Sequence, residues 1–115
     1  MQLYHWSRIE REQLTPLVAR QVIHGEKLTL ARIFLSRGAV VPEHRHENEQ
    51  VSVIEKGRLL FTIDGEEQVV SAGQVMRIPP HASHAVEALE DSVALDLFSP
   101  RRDDWIRGDD AYLRR

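Results

Sequence analysis

Cysteine is absent from the 115 residues of the chain, so neither disulfide bonds nor thiolate chemistry can contribute to its fold or function. No apolar run approaches the ~20 residues that a membrane-spanning helix needs. The first residues, MQLYHWSRIEREQ, are charged and lack the apolar core of a signal peptide. We therefore expect no membrane partner and a cytoplasmic location.

Clustered positive charge is also missing. The chain has 15 lysines and arginines against 18 aspartates and glutamates, and its net charge is -3 with neutral histidines. Nucleic-acid-binding proteins usually concentrate basic residues on one face, whereas the two arginine pairs near the C-terminus are diluted by neighbouring aspartates. We therefore expect no nucleic-acid partner.

Short β-rich segments separated by turn residues fill most of the chain from residue 18 to residue 99. Asp64-Gly65 is a strong hairpin signal, because both central residues of a type I′ turn need positive φ. Pro79 and Pro80 end the segment before them, since proline cannot donate to a sheet ladder. About eight strands at regular spacing predict an all-β sandwich or barrel.

The remaining segments are short and charged. Residues near 7–18 and 101–114 have the charge and spacing of short helices. Apolar residues make up 42% of the chain, which is ordinary for a globular protein. We expect a single domain spanning residues 1–115, because the chain is too short for two hydrophobic cores.

Four of the six histidines fall in two short windows, PEHRHENEQ (42–50) and PPHASH (79–84). His44 and His46 are two apart, so on a strand they project from one face, and Gln50 keeps the same parity. Neutral imidazoles bind zinc, nickel, copper, iron or manganese. A histidine from an adjacent antiparallel strand would complete a site with positions open for substrate. A solvated polar loop is the alternative for either window alone.

The spacing of the two windows resembles the paired motifs of the cupin family. The matching residues are Gly38, His44, His46, Gln50 and Gly57 in the first motif, and Gly73, Pro79 and His84 in the second. The resemblance implies an all-β, jelly-roll barrel over about residues 18–99, with one divalent transition metal ion (nickel, zinc, manganese, iron or cobalt) inside. It implies that the metal ligands are His44, His46, Gln50 and His84.

Three positions depart from the family pattern. Gln50 stands where cupins usually have glutamate, although Glu49 is adjacent and stays open as the alternative ligand. His81 replaces a glycine, and we interpret it as a rim residue; Ala88 replaces an asparagine. Three imidazoles and an amide would leave the full charge on a divalent ion, which favours polarisation of substrate over oxygen chemistry. If Glu49 is the ligand, that argument fails.

The segment SVALDLFSPRRDDW carries a carboxylate within an apolar strand. Ala94, Asp96 and Phe98 share one face, and Val93, Leu95 and Leu97 share the other. Burying a carboxylate is costly unless it is paired or faces a wet cavity. An outward-facing Asp96 is one reading; in the other, Asp96 faces the lumen and its pKa is raised by partial desolvation.

This segment, with IPPHASHAVEALED before it, resembles the KdgF subgroup of cupins in pectin degradation. That subgroup linearises 4,5-unsaturated monouronates, which pectate and alginate lyases release, to 5-keto-4-deoxyuronate. The resemblance implies a small-molecule uronate substrate and three catalytic residues, Asp96, Phe98 and Arg102. Asp96 would shuttle a proton, Phe98 would form an apolar wall, and Arg102 would clamp the substrate carboxylate with its planar fork.

Two other functions stay open, a metal-dependent dioxygenase acting on a small organic acid and a non-catalytic sugar-acid-binding cupin. Small cupins expose sheet edges and often dimerise, so the resemblance also implies a homodimer.

Arg77 is a candidate for a second carboxylate contact, although strand alternation alone does not decide which face of its strand is inside. For the other large aromatics we expect packing roles: Tyr4, Trp6, Trp105 and Tyr112.

Overall fold

Ten antiparallel strands in two facing sheets form the protein, as a computed structural model of residues 1–115 shows. One sheet has six strands in the order β1-β2-β3-β10-β5-β8, and the other has four in the order β4-β9-β6-β7. The strands are β1 Glu12–Thr15, β2 Val18–His24, β3 Thr29–Leu35, β4 Val40–His44, β5 Glu49–Lys56, β6 Arg58–Ile63, β7 Glu66–Ser71, β8 Val75–Ile78, β9 His84–Ala88 and β10 Ser92–Ser99. This jelly-roll-like sandwich confirms the all-β prediction.

Strand alternation explains how the two sheets enclose a core. In β3 every second residue is buried, beginning with Thr29 and ending with Leu35, and β5 buries Gln50, Ser52 and Ile54 in the same way. Side chains on one face of a pleated strand can therefore meet those of the opposite sheet. The core consists of Leu14, Val18, Ala31, Ile33, Leu35, Ala39, Ile54, Leu59, Phe61, Val70, Ile78, Ala82, Ala88, Ala94, Phe98 and Trp105.

β1 was not expected from the sequence, and β4 was considered only as a strand carrying both His44 and His46. The prediction of a helix near 7–18 is wrong, because only Trp6–Arg8 forms a 3-10 helix and β1 follows it. β1 pairs with β2, with Leu14 pointing into the core. β4 contains Pro42, which is tolerated because β4 is an edge strand and its register shifts between Val41 and His44.

The predicted turns and the C-terminal helices are present. Asp64 and Gly65 have φ values of 47° and 83° between β6 and β7, as a type I′ hairpin requires. β8 ends at Ile78, immediately before the two prolines. A short helix α1 at Asp103–Ile106 and a 3-10 helix at Ala111–Arg114 follow the last strand. No helix is long and apolar enough to cross a membrane.

Among the six glycines, Gly57 makes the closest approach to neighbouring atoms. It lies between β5 and β6 with a φ of 84°, and a Cβ at this position would overlap Ser92 Oγ and the carbonyl oxygen of Asp91. Gly73 has a similar φ of 88°, yet a Cβ there would meet nothing within 4 Å. The two glycines thus share a left-handed backbone and differ in the space around them.

Substituting each glycine by alanine separates backbone strain from steric overlap. Gly73→Ala should lower the free energy of unfolding by about 1 kcal/mol, the cost of a left-handed alanine. Gly57→Ala should lower it by roughly 3 kcal/mol or more, because backbone atoms near Ser92 must also move. Urea denaturation measures both values. Equal losses in the two variants would contradict the close approach at Gly57.

Candidate active site

Three histidines converge inside the sandwich. His44 ends β4 and lies directly opposite His84, the first residue of β9, in the antiparallel ladder. Their ring centroids are 4.2 Å apart, and the His46 ring lies 5.6 Å from that of His44 and 4.8 Å from that of His84. One nitrogen from each ring lies within 4.8 Å of the others. The two histidine windows therefore form one cluster that could hold a metal ion.

His46 reaches the cluster from a loop and not from the strand that carries His44. β4 ends at His44, and the chain crosses to the six-stranded sheet before β5 begins at Glu49. The expectation that His44 and His46 share a strand face is therefore wrong, although both side chains arrive at the same place. Asn48, which sequence reasoning did not single out, is buried in this loop and donates to the carbonyl oxygen of Pro100.

A backbone carbonyl orients each imidazole. The Nδ1 atoms of His44, His46 and His84 lie 2.8, 3.0 and 2.8 Å from the carbonyl oxygens of Pro42, Asn48 and Ala82. When Nδ1–H donates to a carbonyl, Nε2 carries the lone pair, which is the usual arrangement of metal-binding histidines. The Nε2 atom of His84 is buried without a hydrogen-bond partner, so the chain itself leaves this lone pair available.

Gln50 completes the cluster from β5. Its side-chain NH2 donates to Ser52 Oγ at 3.0 Å, and its Oε1 lies 3.2 Å from His46 Nε2. With Nδ1–H of His46 donating to a carbonyl, these two facing atoms are both acceptors. Two ligands about 2.1 Å from one tetrahedral ion lie about 3.4 Å apart. The geometry therefore fits a cation bound between His46 and Gln50.

Three polar residues near the cluster, Glu49, Arg77 and His81, do not take part in it. Glu49 points away from the interior and pairs with Arg77, with 2.6 Å between Arg77 Nε and Glu49 Oε2. Arg77 is exposed, so the possibility that it faces the lumen is wrong. His81 is also exposed and has a φ of 66°. Between Glu49 and Gln50, only Gln50 faces the histidines.

Burial keeps the imidazoles in the neutral, metal-binding form. Desolvation lowers the pKa of His44 to about 3 and that of His46 to about 4. Desolvation also lowers the pKa of His84. The positive charge of Arg102 lowers all three values further. At neutral pH the cluster therefore presents unprotonated nitrogens.

Asp96 and Phe98 join the cluster through the pairing of β10 with β5. Asp96 lies opposite Ser52 and Phe98 opposite Gln50 in this ladder, so both face the interior and the outward reading of Asp96 is wrong. The Oδ1 atom of Asp96 is buried without a hydrogen-bond partner. Desolvation raises the pKa of Asp96 to about 6, although the Ser52 hydroxyl and the Arg102 charge oppose the shift.

Arg102 is buried beside these residues and is only 1% exposed. Its Nε and Nη2 donate to the two carboxylate oxygens of Asp104 at 3.0 and 2.9 Å. Its guanidinium carbon lies 4.7 Å from the centroid of the Phe98 ring and 4.3 Å from that of Trp105. Nη1 makes no hydrogen bond within the chain. Trp105 packs the C-terminal segment onto the sandwich, as expected for this aromatic residue.

A cavity with a free volume of about 50 Å³ connects these groups. Its polar lining consists of His44, Gln50, Ser52, His84, Asp96, Arg102 and Tyr112. Apolar side chains of both sheets form the rest of its wall. Ser52 and Asp104 were missed by sequence reasoning, and Tyr112 was expected to have only a packing role. Only Ser52 carried a sequence signal, since it has the same strand parity as Gln50.

Two antiparallel sheets around converging histidines define the cupin class of β-barrel, and comparison with known proteins agrees. The family model for the cupin domain matches residues 32–99. The chain therefore belongs to the cupin family. Its fold and its three histidines together suggest a bound metal ion.

Individual proteins show which kinds of cupin the chain is similar to. The pectin degradation protein KdgF of Dickeya dadantii (strain 3937) is 28% identical over 98 residues, which cover 83% of this chain and 89% of that protein. The structure of KdgF from Halomonas sp. matches with a TM-score of 0.85 at 31% identity and covers 91% of this chain and 98% of that one. An RmlC-like cupin from Shewanella frigidimarina NCIMB 400 matches with a TM-score of 0.86 at 27% identity, covering 91% and 96%.

Removing one histidine of the cluster should abolish tight metal binding. His84→Ala should weaken nickel affinity by at least about 100-fold, because losing a direct ligand costs more than losing an outer-shell partner. His81→Asn is the matched control, since His81 is exposed and asparagine tolerates a positive φ. Competition titration with a chelator measures both. A His84→Ala variant with the affinity of the unmodified chain would contradict the assignment.

The metal-free protein should lose stability in acid. His44, His46 and His84 have lower pKa values in the folded state than the usual 6.5, so the unfolded chain binds more protons between about pH 6.5 and pH 4. Asp96, with a pKa raised to about 6, acts in the opposite direction between pH 4 and pH 6, but it is one group against four, since burial and nearby arginines also lower the pKa of His24. The melting temperature of chelator-treated protein should fall by several degrees from pH 7 to pH 4.5.

The double variant His44→Gln, His46→Gln is the comparison for this measurement. It should show a smaller fall, because the two histidines whose pKa values are lowered to about 3 and about 4 are gone. A melting temperature that stays constant or rises as the unmodified, metal-free protein is acidified would contradict the lowered pKa values of the cluster.

Proposed function

We propose that the chain is a non-redox, metal-dependent enzyme that converts 4,5-unsaturated monouronates to linear 5-keto-4-deoxyuronate. The observation that carries the proposal is the placement of Asp96, with its raised pKa and unpartnered Oδ1, in the cavity that His44 and His84 line. A proton-transfer group with a pKa near neutrality suits acid–base catalysis. The likeness to two KdgF proteins over most of the chain supports this substrate class.

The residues of the cluster fit a divalent transition metal ion. His44, His46, His84 and Gln50 would hold it, and the bound ion would polarise substrate oxygens as a Lewis acid. All four side chains are neutral donors, so the cluster itself contributes no anionic ligand. We infer that the charge is balanced by an anionic substrate, which the uronate carboxylate would provide.

Arg102 would bind that carboxylate. Its guanidinium is buried against Phe98 and Trp105, and a buried cation attracts an anion more strongly than an exposed one. Asp104 occupies Nε and one N–H of Nη2, and Tyr112 accepts from the other N–H of Nη2, so the carboxylate would bind Nη1 and, by displacing Tyr112, Nη2. The stacked Phe98 ring would also present an apolar surface to the sugar ring beside the carboxylate.

Asp96 would move one proton within the substrate. As a carboxylate it would accept the proton of the anomeric hydroxyl while the bond from carbon one to the ring oxygen breaks, which gives an aldehyde at carbon one and an enolate at carbon five. It would then return a proton to carbon four as the ketone forms at carbon five. The product is an isomer of the substrate, so the step needs no oxidant. A pKa of about 6 makes both transfers accessible.

Substituting Asp96 tests this role. Asp96→Asn should slow the reaction by roughly 100-fold or more, because general acid–base catalysis typically contributes 10²–10⁴-fold. Metal content should not change, since Asp96 is not among the proposed ligands. The assay follows the ultraviolet absorbance of the conjugated double bond in lyase-generated unsaturated monouronate. The spontaneous rate without protein is subtracted.

Asp103→Asn is the matched control for this experiment, because Asp103 is exposed and pairs only with Arg101 in the same segment. It should react at the rate of the unmodified chain. Failure of the metal-loaded, unmodified protein to accelerate the reaction would disprove the proposed function. Oxygen consumption would favour the dioxygenase instead, and uronate binding without turnover would favour a sugar-acid-binding cupin.

A further inference from the structure

The C-terminal 3-10 helix covers the cavity of the candidate active site. Tyr112 and Leu113 of this helix line the same cavity as His44 and Asp96. Both residues lie beyond residue 99, where the match to the cupin family model ends. The chain therefore closes its cavity with a segment that the matched part of the cupin domain does not include.

Tyr112 contacts two groups to which the proposed function gives roles. Its ring stacks on that of His44, with centroids 4.4 Å apart and planes 29° from parallel. Its hydroxyl oxygen accepts hydrogen bonds from Arg102 Nη2 at 2.8 Å and from Trp105 Nε1 at 3.3 Å. A phenol oxygen thus occupies part of the guanidinium that would bind a carboxylate.

The cavity beneath this helix is too small for a sugar acid. Its free volume is about 50 Å³, whereas pockets for small-molecule ligands typically measure about 300–1,000 Å³. A uronate could not reach Asp96 until part of the wall moves. Most of that wall consists of strands within the two sheets, whereas Tyr112 and Leu113 come from the short C-terminal helix outside them.

Asp110 anchors the beginning of this helix, whereas the side chains of Tyr112 and Leu113 hold its middle. Asp110 is buried and accepts from Arg20 at 2.6 Å, deep against the six-stranded sheet. Beyond Asp110, the Leu113 amide donates to the Asp110 carbonyl at 3.0 Å, within the segment itself, and Arg114 reaches back to Asp110 and Glu12 from an exposed position. A ligand that replaces the contacts of Tyr112 would therefore let residues 111–115 swing away while Asp110 stays anchored.

We propose that residues 111–115 form a lid and that Tyr112 occupies the carboxylate subsite on Arg102 until an entering uronate displaces it. The nature of the ligand rests on the proposed function, whereas the lid itself rests on the contacts of Tyr112. A protein whose binding-competent form is only partly populated shows a weakened apparent affinity. Removing the Tyr112 side chain should therefore strengthen uronate binding, although it removes contacts from the cavity.

Calorimetric titration with D-galacturonate, a saturated uronate that cannot react, measures this effect on nickel-loaded protein. Tyr112→Ala should bind at least about threefold more tightly than the unmodified chain, because the open form no longer competes with a closed one. Tyr112→Phe keeps the stacked ring but removes the hydroxyl that accepts from Arg102. Its galacturonate affinity should therefore lie between those of the unmodified chain and Tyr112→Ala. Tyr4→Ala is the matched control, since Tyr4 is exposed and bonds only to Gln2.

A second readout does not depend on uronates. The rate at which a chelator removes nickel should rise at least about threefold in Tyr112→Ala and stay unchanged in Tyr4→Ala, because the stacked ring shields His44. Tyr112→Ala with unchanged galacturonate affinity and unchanged nickel release, or with weaker galacturonate binding, would overturn the lid. Faster nickel release without any uronate binding would retain the lid and refute the uronate function. Uronate turnover with both Tyr112→Ala readouts unchanged would refute the lid and retain the uronate function.

Discussion

The hydrogen bonds from three imidazole Nδ1 atoms to backbone carbonyls are the interaction on which the rest of the site depends. They fix His44, His46 and His84 so that their Nε2 lone pairs face one point. The arrangement costs stability in the absence of a cation, because buried acceptors face one another without donors. It is supplied by backbone geometry at the ends of β4 and β9 and in the loop before β5, which the sheet pairing holds in place.

None of the four candidate metal ligands carries a negative charge. Gln50 faces the histidines while the neighbouring Glu49 pairs with Arg77 on the outer surface. Inside, Arg102 is offset by Asp104 and lowers the histidine pKa values. A divalent ion held by these neutral ligands would keep its full charge, which is why we propose an anionic substrate.

Features of the fold and site that depend on local residue patterns were easier to predict from the sequence than features that depend on packing between distant segments. Alternation and turn residues predicted eight of the strands, and the two motifs predicted that His44, His46, Gln50 and His84 meet. β1 was missed because a short charged segment has no clear period, and the end of β4 at His44 was missed because the crossover to the other sheet has no local signal. The choice of Gln50 over Glu49 depends on which strand face is buried, and sequence alternation alone does not define that. The position of Tyr112 over the cavity depends on packing between distant segments, and no local sequence pattern indicates it.

The central claim is that three histidines and one glutamine share a single ion. A crystal of nickel-loaded protein, measured at the nickel absorption edge, tests it most directly. The account predicts one anomalous peak about 2.0–2.2 Å from Nε2 of His44, His46 and His84 and at a similar distance from Gln50 Oε1. A peak on the outer face beside Glu49, or one that touches fewer than three of the histidines, would contradict it.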